Sequence, residues 1–335
     1  MLPAKNADST LESAARSCLN QTFEDLELIL IENDSSPGTR SVMEQLRSED
    51  ERVRLISAPP GAGFIAALNI GWQDANGELL ARMDADDLCA PERIERQVSF
   101  LDQHSEVAAC GTLVRIRRRD QEGSVQPAFE GYALFEQWLN SVVLESAIAA
   151  ERFIDSPIAN PSAMIRRSVF DQIGGYREVA WAEDYDFWLR MLDAGLRIGK
   201  VDQQLLDWFD SESRLTRNDE HYGQDRFLEA KAHFLARLPQ VRERGVAISG
   251  AGPIGKRLGR LLISKGVRLI AFLEVSPRRI GNEIDGVPIL RDTELPLEGR
   301  PILIGAVGLR GARQKIRNLV EPLGYIEGSD FFCVA

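Results

Sequence analysis

Three aspartates, Asp84, Asp86 and Asp87, follow directly on the apolar-leaning run Leu79, Leu80, Ala81. Carboxylates crowded at the end of a buried strand repel one another and lose hydration, so they need positive charge between them. A hard divalent cation that also carries a diphosphate supplies it, which makes Asp84-Ala85-Asp86-Asp87 a candidate nucleoside-diphosphate site. The competing reading is a helix cap, because Asp is a favoured cap, Pro91 a favoured first-turn residue, and a helix is expected beyond them. A second constellation lies far along the chain. Gly250-x-Gly252-x-x-Gly255 follows one expected strand, opens a helix, and is followed by Glu274 at the end of the next strand, the context of a dinucleotide fingerprint. Glycines at such turns also serve packing alone.

The elements that must position these residues alternate. Residues 8–22 read as a helix, with Asp8 or Ser9 as cap and Leu11, Ala14, Ala15, Cys18 and Leu19 at helical spacing. Residues 26–31 form a buried strand that ends in the polar turn Glu32-Asn33-Asp34-Ser35-Ser36-Pro37-Gly38. A strand over 53–56 and a helix over 64–75 follow, then the aspartate strand, a charged helix over 91–104, and two strands over 107–111 and 113–116. Residues 127–155 turn helical, a further helix opens near Trp181, and 211–223 read as a polar loop. Near Pro239 the pattern restarts with a strand over 246–249, a helix over 256–265, strands over 269–273 and 301–305, and a helix over 311–323. Alternation of this kind implies an α/β chain with a mostly parallel sheet covered on both faces. Two domains are expected, 1–239 and 240–335.

Composition narrows the function. The chain has 335 residues and a net charge of −11. Residues 240–335 hold 15 basic and 10 acidic side chains, leaving 25 basic and 41 acidic before them. An acidic main part argues against nucleic-acid binding, which needs a basic surface. The four cysteines, Cys18, Cys89, Cys110 and Cys333, form no CxxC pair, which fits packing roles in a reducing cytoplasm better than a zinc site or a disulfide framework. No signal core and no apolar run of about 18 residues occurs, so no membrane span is expected; peripheral membrane contact stays open.

Several separate stretches, taken in order, resemble one family, the family 2 inverting glycosyltransferases of GT-A fold. They are Pro3-Ala4-Lys5-Asn6-Ala7, Leu19-Asn20-Gln21-Thr22, the strand ending at Glu32 to Ser35, Asn69-Ile70-Gly71, Ala75-Asn76-Gly77-Glu78, Asp84-Ala85-Asp86-Asp87, Asn160-Pro161-Ser162-Ala163-Met164, Gly174-Gly175-Tyr176 and Glu183-Asp184-Tyr185-Asp186. The resemblance spans residues 3–220. It implies a nucleoside-diphosphate-sugar donor, a glycan, lipid-linked or small-molecule acceptor, and Mg²⁺ or Mn²⁺ as cofactor. Pro3 and Glu32 then border the nucleotide, Glu32 standing where the family uses an Asp for the base; the plainer reading of Glu32 is a turn acceptor. Asp84 contacts the ribose or diphosphate side, and Asp86 binds the metal that neutralises the leaving group. Asp184 is the general base that takes the acceptor proton, and Glu183 orients that acceptor; the plainer reading is that both only charge a helix start favourably. Asp186, two residues further on, is structural. Apart from the resemblance, Arg214 and Arg217 in the polar loop are candidates to fold over the diphosphate once the donor is bound, the equal alternative being solvated surface arginines.

The resemblance also raises an expectation about the chain's start. The family's first strand precedes the Pro3 segment, where only Met1 and Leu2 stand here, so the natural start is expected upstream. The last domain resembles the small Rossmann-like nucleotide-binding domain of some sugar acyltransferases, with Gly250, Gly252, Gly255 and Glu274 as its nucleotide residues. Three functions follow, in order of preference: a metal-dependent inverting glycosyltransferase of glycan or cell-envelope polysaccharide synthesis, acting in the cytoplasm; a catalytically impaired regulatory protein whose last domain binds a nucleotide; and an NAD(P)-dependent oxidoreductase, for which no hydride-transfer site is visible.

Overall fold

The computed structural model describes residues 1–120, 124–210 and 219–335. They divide into two compact units. Unit 1 holds Met1–Ile148, Pro157–Val179 and Glu183–Asn218; unit 2 holds Ala149–Ser156, Ala180–Ala182 and Asp219–Ala335.

Unit 1 is built on buried apolar strands. In β2 (Leu28–Glu32) every residue is buried; Leu28 and Leu30 enter one hydrophobic core while Ile29 and Ile31 enter another. That alternation is the period-two pattern of a strand covered on both faces. β2 pairs in parallel with β1 (Leu2–Ala4) and β3 (Val53–Ser57). On one side pack α1 (Leu11–Leu19), through Leu11, Ala14, Ala15 and Leu19, and α2 (Pro37–Glu49), whose cap Ser36 accepts the Thr39 N–H at 3.2 Å. On the other lies α3 (Gly63–Asp74). It can approach because position 71 is glycine: a Cβ there would sit 2.5 Å from the Ile31 side chain.

β4 (Leu79–Ala81) joins this sheet through Met1, whose carbonyl accepts the Met83 N–H at 3.0 Å. β5 (Leu88–Cys89), α4 (Arg93–Gln103), β6 (Val107–Arg119), β7 (Val125–Pro127), α5 (Glu130–Ser141), α6 (Glu145–Glu151), β8 (Met164–Arg166), α7 (Arg167–Ile173), α8 (Glu183–Asp193) and β9 (Arg197–Asp210) follow. The second sheet has the order β4-β8-β6-β9-β5, with β7 on β6. Its long β6–β9 pair is parallel, whereas β8 and β5 run antiparallel to their neighbours.

Some sequence expectations shift. Residues 107–119 make one strand, not two, with a register irregularity at Thr112/Leu113. Asp8 does not cap α1, whose cap position is Thr10; it accepts hydrogen bonds from Ser36 and Thr39 instead. Neither Asp86 nor Asp87 caps α4, which starts at Arg93 after Glu92.

Unit 2 contains α9 (Gln224–Leu235), α10 (Pro239–Arg244), β10 (Val246–Ser249), α11 (Pro253–Ser264), β11 (Leu269–Glu274), β12 (Glu283–Ile284), β13 (Val287–Arg291), β14 (Ile302–Gly305), α12 (Ala312–Val320) and β15 (Phe331–Cys333). Its sheet has the order β12-β13-β11-β10-β14-β15, parallel except for β12. The unit begins at Asp219 and not near 239, because α9 packs against α11 and is joined to it by Arg257, 2.8 Å from Asp225. Segment 149–156 joins the same unit through Lys231, a buried residue of α9 whose ammonium donates to the Ile154 and Val334 carbonyls at 2.8 and 2.9 Å.

Burial lowers the Lys231 pKa to about 8, with the Asp155 charge opposing the shift. Between that value and 10.5 the unfolded chain binds the proton that the folded chain has lost, so stability is present above pH 10.5 and is lost as pH falls to about 8. The span is worth about 3 kcal/mol. Unfolding by urea across this window should show a rise of stability with pH in the wild type that is flattened in Lys231→Met; parallel slopes would contradict it.

Candidate active site

The carboxyl ends of β1, β2 and β4 bring the candidate residues of unit 1 to one edge. Ala4 and Glu32 are register partners, and the Ala4 carbonyl accepts the Asn33 N–H at 3.2 Å and the Ser35 hydroxyl at 2.9 Å. Pro3 is buried opposite Ile31. Glu32 is 7% exposed, and its Oε1 accepts the Ser35 N–H at 2.6 Å and the Arg40 Nε–H at 3.2 Å. One oxygen of Glu32 thus shapes its own turn. Asn33, passed over in the sequence, is buried beside it, with an Oδ1 that has no hydrogen-bond partner among the described residues.

After β4 the aspartates converge. Ligand oxygens of Asp84, Asp86 and Asp87 lie within 4.8 Å of one another. Three hard carboxylate oxygens in that space suit a divalent cation such as Mg²⁺ or Mn²⁺. Asp87 is fully buried and accepts the Phe209 N–H at 2.8 Å, which ties the turn to the end of β9. Asp84 faces Arg82, buried to 3%, with Nη1 2.5 Å from Oδ1. Burial opposes the Arg82 charge, and Asp84 more than compensates, raising the guanidinium pKa above its ordinary value.

The acceptor-side pair opens α8. Glu183 is 5% exposed, and Asp184 Oδ1 accepts the Tyr185 N–H at 2.7 Å. The preceding turn is locked into place. Asn69 of α3 accepts the Tyr176 N–H and donates to the Tyr176 carbonyl, each at 2.9 Å. A Cβ at Gly175 would sit 2.2 Å from the Asn69 Oδ1, so only glycine fits. The buried Tyr176 hydroxyl donates to Asn160 at 3.3 Å and feels the charges of Arg82, Asp184 and Glu183. Burial is the main cause that raises the Tyr176 pKa.

Asp186 sits inside the protein, 2.7 Å from Arg190 Nε, and Arg190 also donates to the Ile173 and Gly175 carbonyls. Its place is to hold the Gly174-Gly175 turn. Asp186→Ala leaves a buried guanidinium without its carboxylate, and should destabilise unit 1 by about 3–5 kcal/mol. A urea midpoint unchanged from the wild type would contradict this.

Arg214 and Arg217 lie outside the described residues. His221 is exposed and paired with Asp219. A cavity of about 680 Å³ is lined by Met1, Leu28, Leu80, Arg82, Cys89 and Arg93 and by the acidic residues Asp25, Glu27, Glu78 and Asp102; Asp84, Asp86 and Asp87 do not line it.

In unit 2 the glycine turn lies between β10 and α11. Gly250 has φ +117°, and a Cβ at Gly255 would come within 1.9 Å of the Gly250 carbonyl, so both glycines are explained by the turn and its helix contact. At Gly252 a Cβ meets nothing within 4 Å. Glu274 ends β11, where its carboxylate accepts from the Val275 and Ser276 N–H groups at 2.9 and 3.2 Å and pairs with Arg279 at 2.9 Å.

Known proteins resemble this chain in sequence and in fold. The model of glycosyl transferase family 2 matches residues 1–174. An uncharacterised glycosyltransferase of Haemophilus influenzae is 32% identical over 187 residues, 55% of this chain and 57% of that protein. The Escherichia coli UDP-Glc:alpha-D-GlcNAc-diphosphoundecaprenol beta-1,3-glucosyltransferase WfgD is 31% identical over 101 residues, 30% of this chain and 39% of that protein. The chain thus spans about half the length, or less, of these relatives. Among solved structures, Staphylococcus aureus TarS (residues 1–349, with UDP-GlcNAc) superposes with a TM-score of 0.53 over 71% of this chain and 66% of that one, at 15% identity, a likeness of fold.

Proposed function

This chain belongs to glycosyl transferase family 2, and we propose that it moves a sugar, with inversion, from a nucleoside-diphosphate sugar to an acceptor hydroxyl. The observation that carries the reading is the convergence of Asp84, Asp86 and Asp87 at the sheet edge where β1 and β2 also end. Asp86 would hold Mg²⁺ or Mn²⁺, with Asp84 toward the ribose and diphosphate; the bound ion supplies positive charge against the leaving diphosphate. Pro3 and Glu32 border the base, and Glu32 accepts its imide hydrogen through the oxygen not used by Ser35. Asp184 takes the proton of the acceptor hydroxyl, and Glu183 orients that acceptor. Arg214, outside the described residues, is kept as the diphosphate's guanidinium partner on its sequence position alone.

WfgD is named for a UDP-glucose donor and a lipid-diphosphate-linked acceptor, and TarS is described with UDP-GlcNAc. Both support a uridine nucleotide, and the WfgD acceptor supports a role in glycan or cell-envelope polysaccharide synthesis. Among the described residues no helix is long and apolar enough to cross a membrane; we place the protein in the cytoplasm, where nucleotide sugars are made. Unit 2 is read as a Rossmann-like domain. Its strand order reverses direction between β10 and β14, the kind of switch point where open α/β sheets bind ligands, and Gly250, Gly252, Gly255 and Glu274 lie on the β10 and β11 side of it. A nucleotide is its proposed ligand.

Calorimetric titration of the full chain with UDP, GDP and dTDP, with and without Mn²⁺, tests the donor assignment. Mn²⁺-dependent binding of UDP in preference to GDP supports it. Equal indifference to all three would remove it.

A further inference from the structure

The transfer reading gives the cysteines no task, yet two of them meet. Cys18 of α1 and Cys89 of β5 stand 71 positions apart in the chain, and the fold brings their sulfurs to 3.9 Å. A disulfide sets its sulfurs about 2.05 Å apart, so a closure of about 1.9 Å would join them. Cys18 is half-buried and Cys89 is 8% exposed, and both line the cavity of about 680 Å³, which has room for a small oxidant. Cys110, by contrast, is fully buried with its sulfur 3.7 Å from the Gln97 amide nitrogen, and Cys333 is fully buried in unit 2.

The end of α1 is fastened to the chain around Cys89. Gln21 Nε2 donates to the Cys89 Sγ at 3.4 Å and to the Ala90 carbonyl at 2.9 Å, while its Oε1 accepts the Ile94 N–H at 2.9 Å. Ser17 Oγ accepts the Cys89 N–H at 3.2 Å and lies 3.3 Å from the Cys89 Sγ. These bonds keep the two sulfurs near one another. They also tie α1 to the aspartate turn, because Cys89 follows Asp87 by two residues, pairs with Leu206 of β9, and Asp87 holds the Phe209 N–H of the same strand at 2.8 Å. A shift of Cys89 toward α1 therefore reaches Asp86 and Asp87 through a few peptide units.

We propose that Cys18 and Cys89 are an oxidation site, a thiol pair that a hydroperoxide converts to an intramolecular disulfide and a dithiol reductant restores, and that the disulfide weakens metal-dependent nucleotide binding by drawing β5 toward α1. With hydrogen peroxide as oxidant, one cysteine sulfur attacks a peroxide oxygen: an S–O bond forms, the O–O bond breaks, water leaves, and that cysteine becomes a sulfenic acid. The second sulfur attacks the first: the S–S bond forms, the S–O bond breaks, and the hydroxyl leaves as water with the second thiol's proton. Two thiols and one peroxide give one disulfide and two waters. In a reducing cytoplasm such a bond is transient, as a sensor requires. The effect on nucleotide binding rests on the glycosyl-transfer reading given above; formation of the bond does not.

The test uses the full-length protein, reduced with dithiothreitol and then exposed to hydrogen peroxide, beside Cys18→Ser and Cys89→Ser. Iodoacetamide labelling of the denatured chain, read by intact mass and peptide mapping, counts the thiols. Reduced wild type should take four labels, one for each cysteine. The oxidised chain should take two, with the peptides of Cys18 and Cys89 cross-linked, and dithiothreitol should restore all four. UDP affinity in Mn²⁺, measured by calorimetry, should fall about 10-fold on oxidation, the scale on which disturbing the surroundings of a metal ligand acts, and should return on reduction. Both serine variants should keep their affinity within threefold through the same peroxide treatment. If a serine variant does not fold, its alanine counterpart takes its place, and the label count on wild type needs no variant. Four labels after oxidation, a single cysteine carried on to sulfinic acid without the cross-link, or a link between two copies overturns the oxidation site. The correct cross-link with an affinity unchanged within threefold overturns its coupling to the aspartates. Reduced wild type that binds no UDP in Mn²⁺ overturns the transfer reading instead, and the label count still decides the thiol pair.

Discussion

Asp184→Asn is expected to lower nucleotide release by about 10²–10⁴-fold while leaving donor affinity within about threefold. The substitution preserves shape and can still accept the Tyr185 N–H that Asp184 accepts at 2.7 Å, so α8 should start unchanged. What it removes is a carboxylate able to take a proton. The donor side, at the end of β4, does not use that carboxylate, so UDP binding in Mn²⁺ should be retained. Glu183, buried to 5% beside it, cannot substitute if its task is to orient. A turnover within threefold of wild type would move the base to another residue.

Asp86→Ala should remove the metal dependence of nucleotide binding altogether. Three ligand oxygens share a space of 4.8 Å, and Asp87 is already engaged with Phe209, so the loss of Asp86 leaves the cation without its chief ligand. UDP affinity in Mn²⁺ is expected to fall by about 100-fold or more, which is about 2.7 kcal/mol, to the level the wild type shows in EDTA. Removing one of three mutually repelling carboxylates should not lower the melting temperature. A variant that keeps metal-dependent affinity would exclude Asp86 as the ligand.

Much of unit 1 was legible because its strands are buried on both faces and read as continuous apolar runs; β2 is the clearest case. Motif order then brought Glu32, Asp84, Asp86, Glu183 and Asp184 into one list, and the fold places the ends of β1, β2 and β4 together. The β6–β9 pair was harder to see. β6 carries a register irregularity at Thr112/Leu113 and ends in exposed and half-buried arginines, so its length has no apolar signature. The unit boundary was misplaced because Pro239 starts only the short α10, whereas α9 before it already belongs to unit 2. Segments 149–156 and 180–182 join that unit through contacts such as Lys231 to Ile154, which no local pattern announces.

Arg82 is buried at the aspartate turn, next to the run Leu79 to Ala81. An arginine inside the run from Leu79 to Met83 must be buried if the strand is, and a buried guanidinium must meet a carboxylate. Sequence alone therefore marks Arg82 as a buried charge that needs a partner. What sequence could not supply is which carboxylate meets it; the fold sets Asp84 Oδ1 2.5 Å from the Arg82 Nη1. Asn33 is the converse case: nothing in its neighbours predicts that its side-chain oxygen would be buried without a partner.

The most direct measurement is release of nucleoside diphosphate from a panel of UDP- and GDP-linked sugars by the full-length protein in Mn²⁺, with EDTA and with Asp184→Asn as controls. The account predicts release from at least one UDP-linked sugar, abolished by EDTA and reduced at least 100-fold by the substitution. Release that persists in EDTA and in Asp184→Asn alike, or no release from any donor, would contradict it.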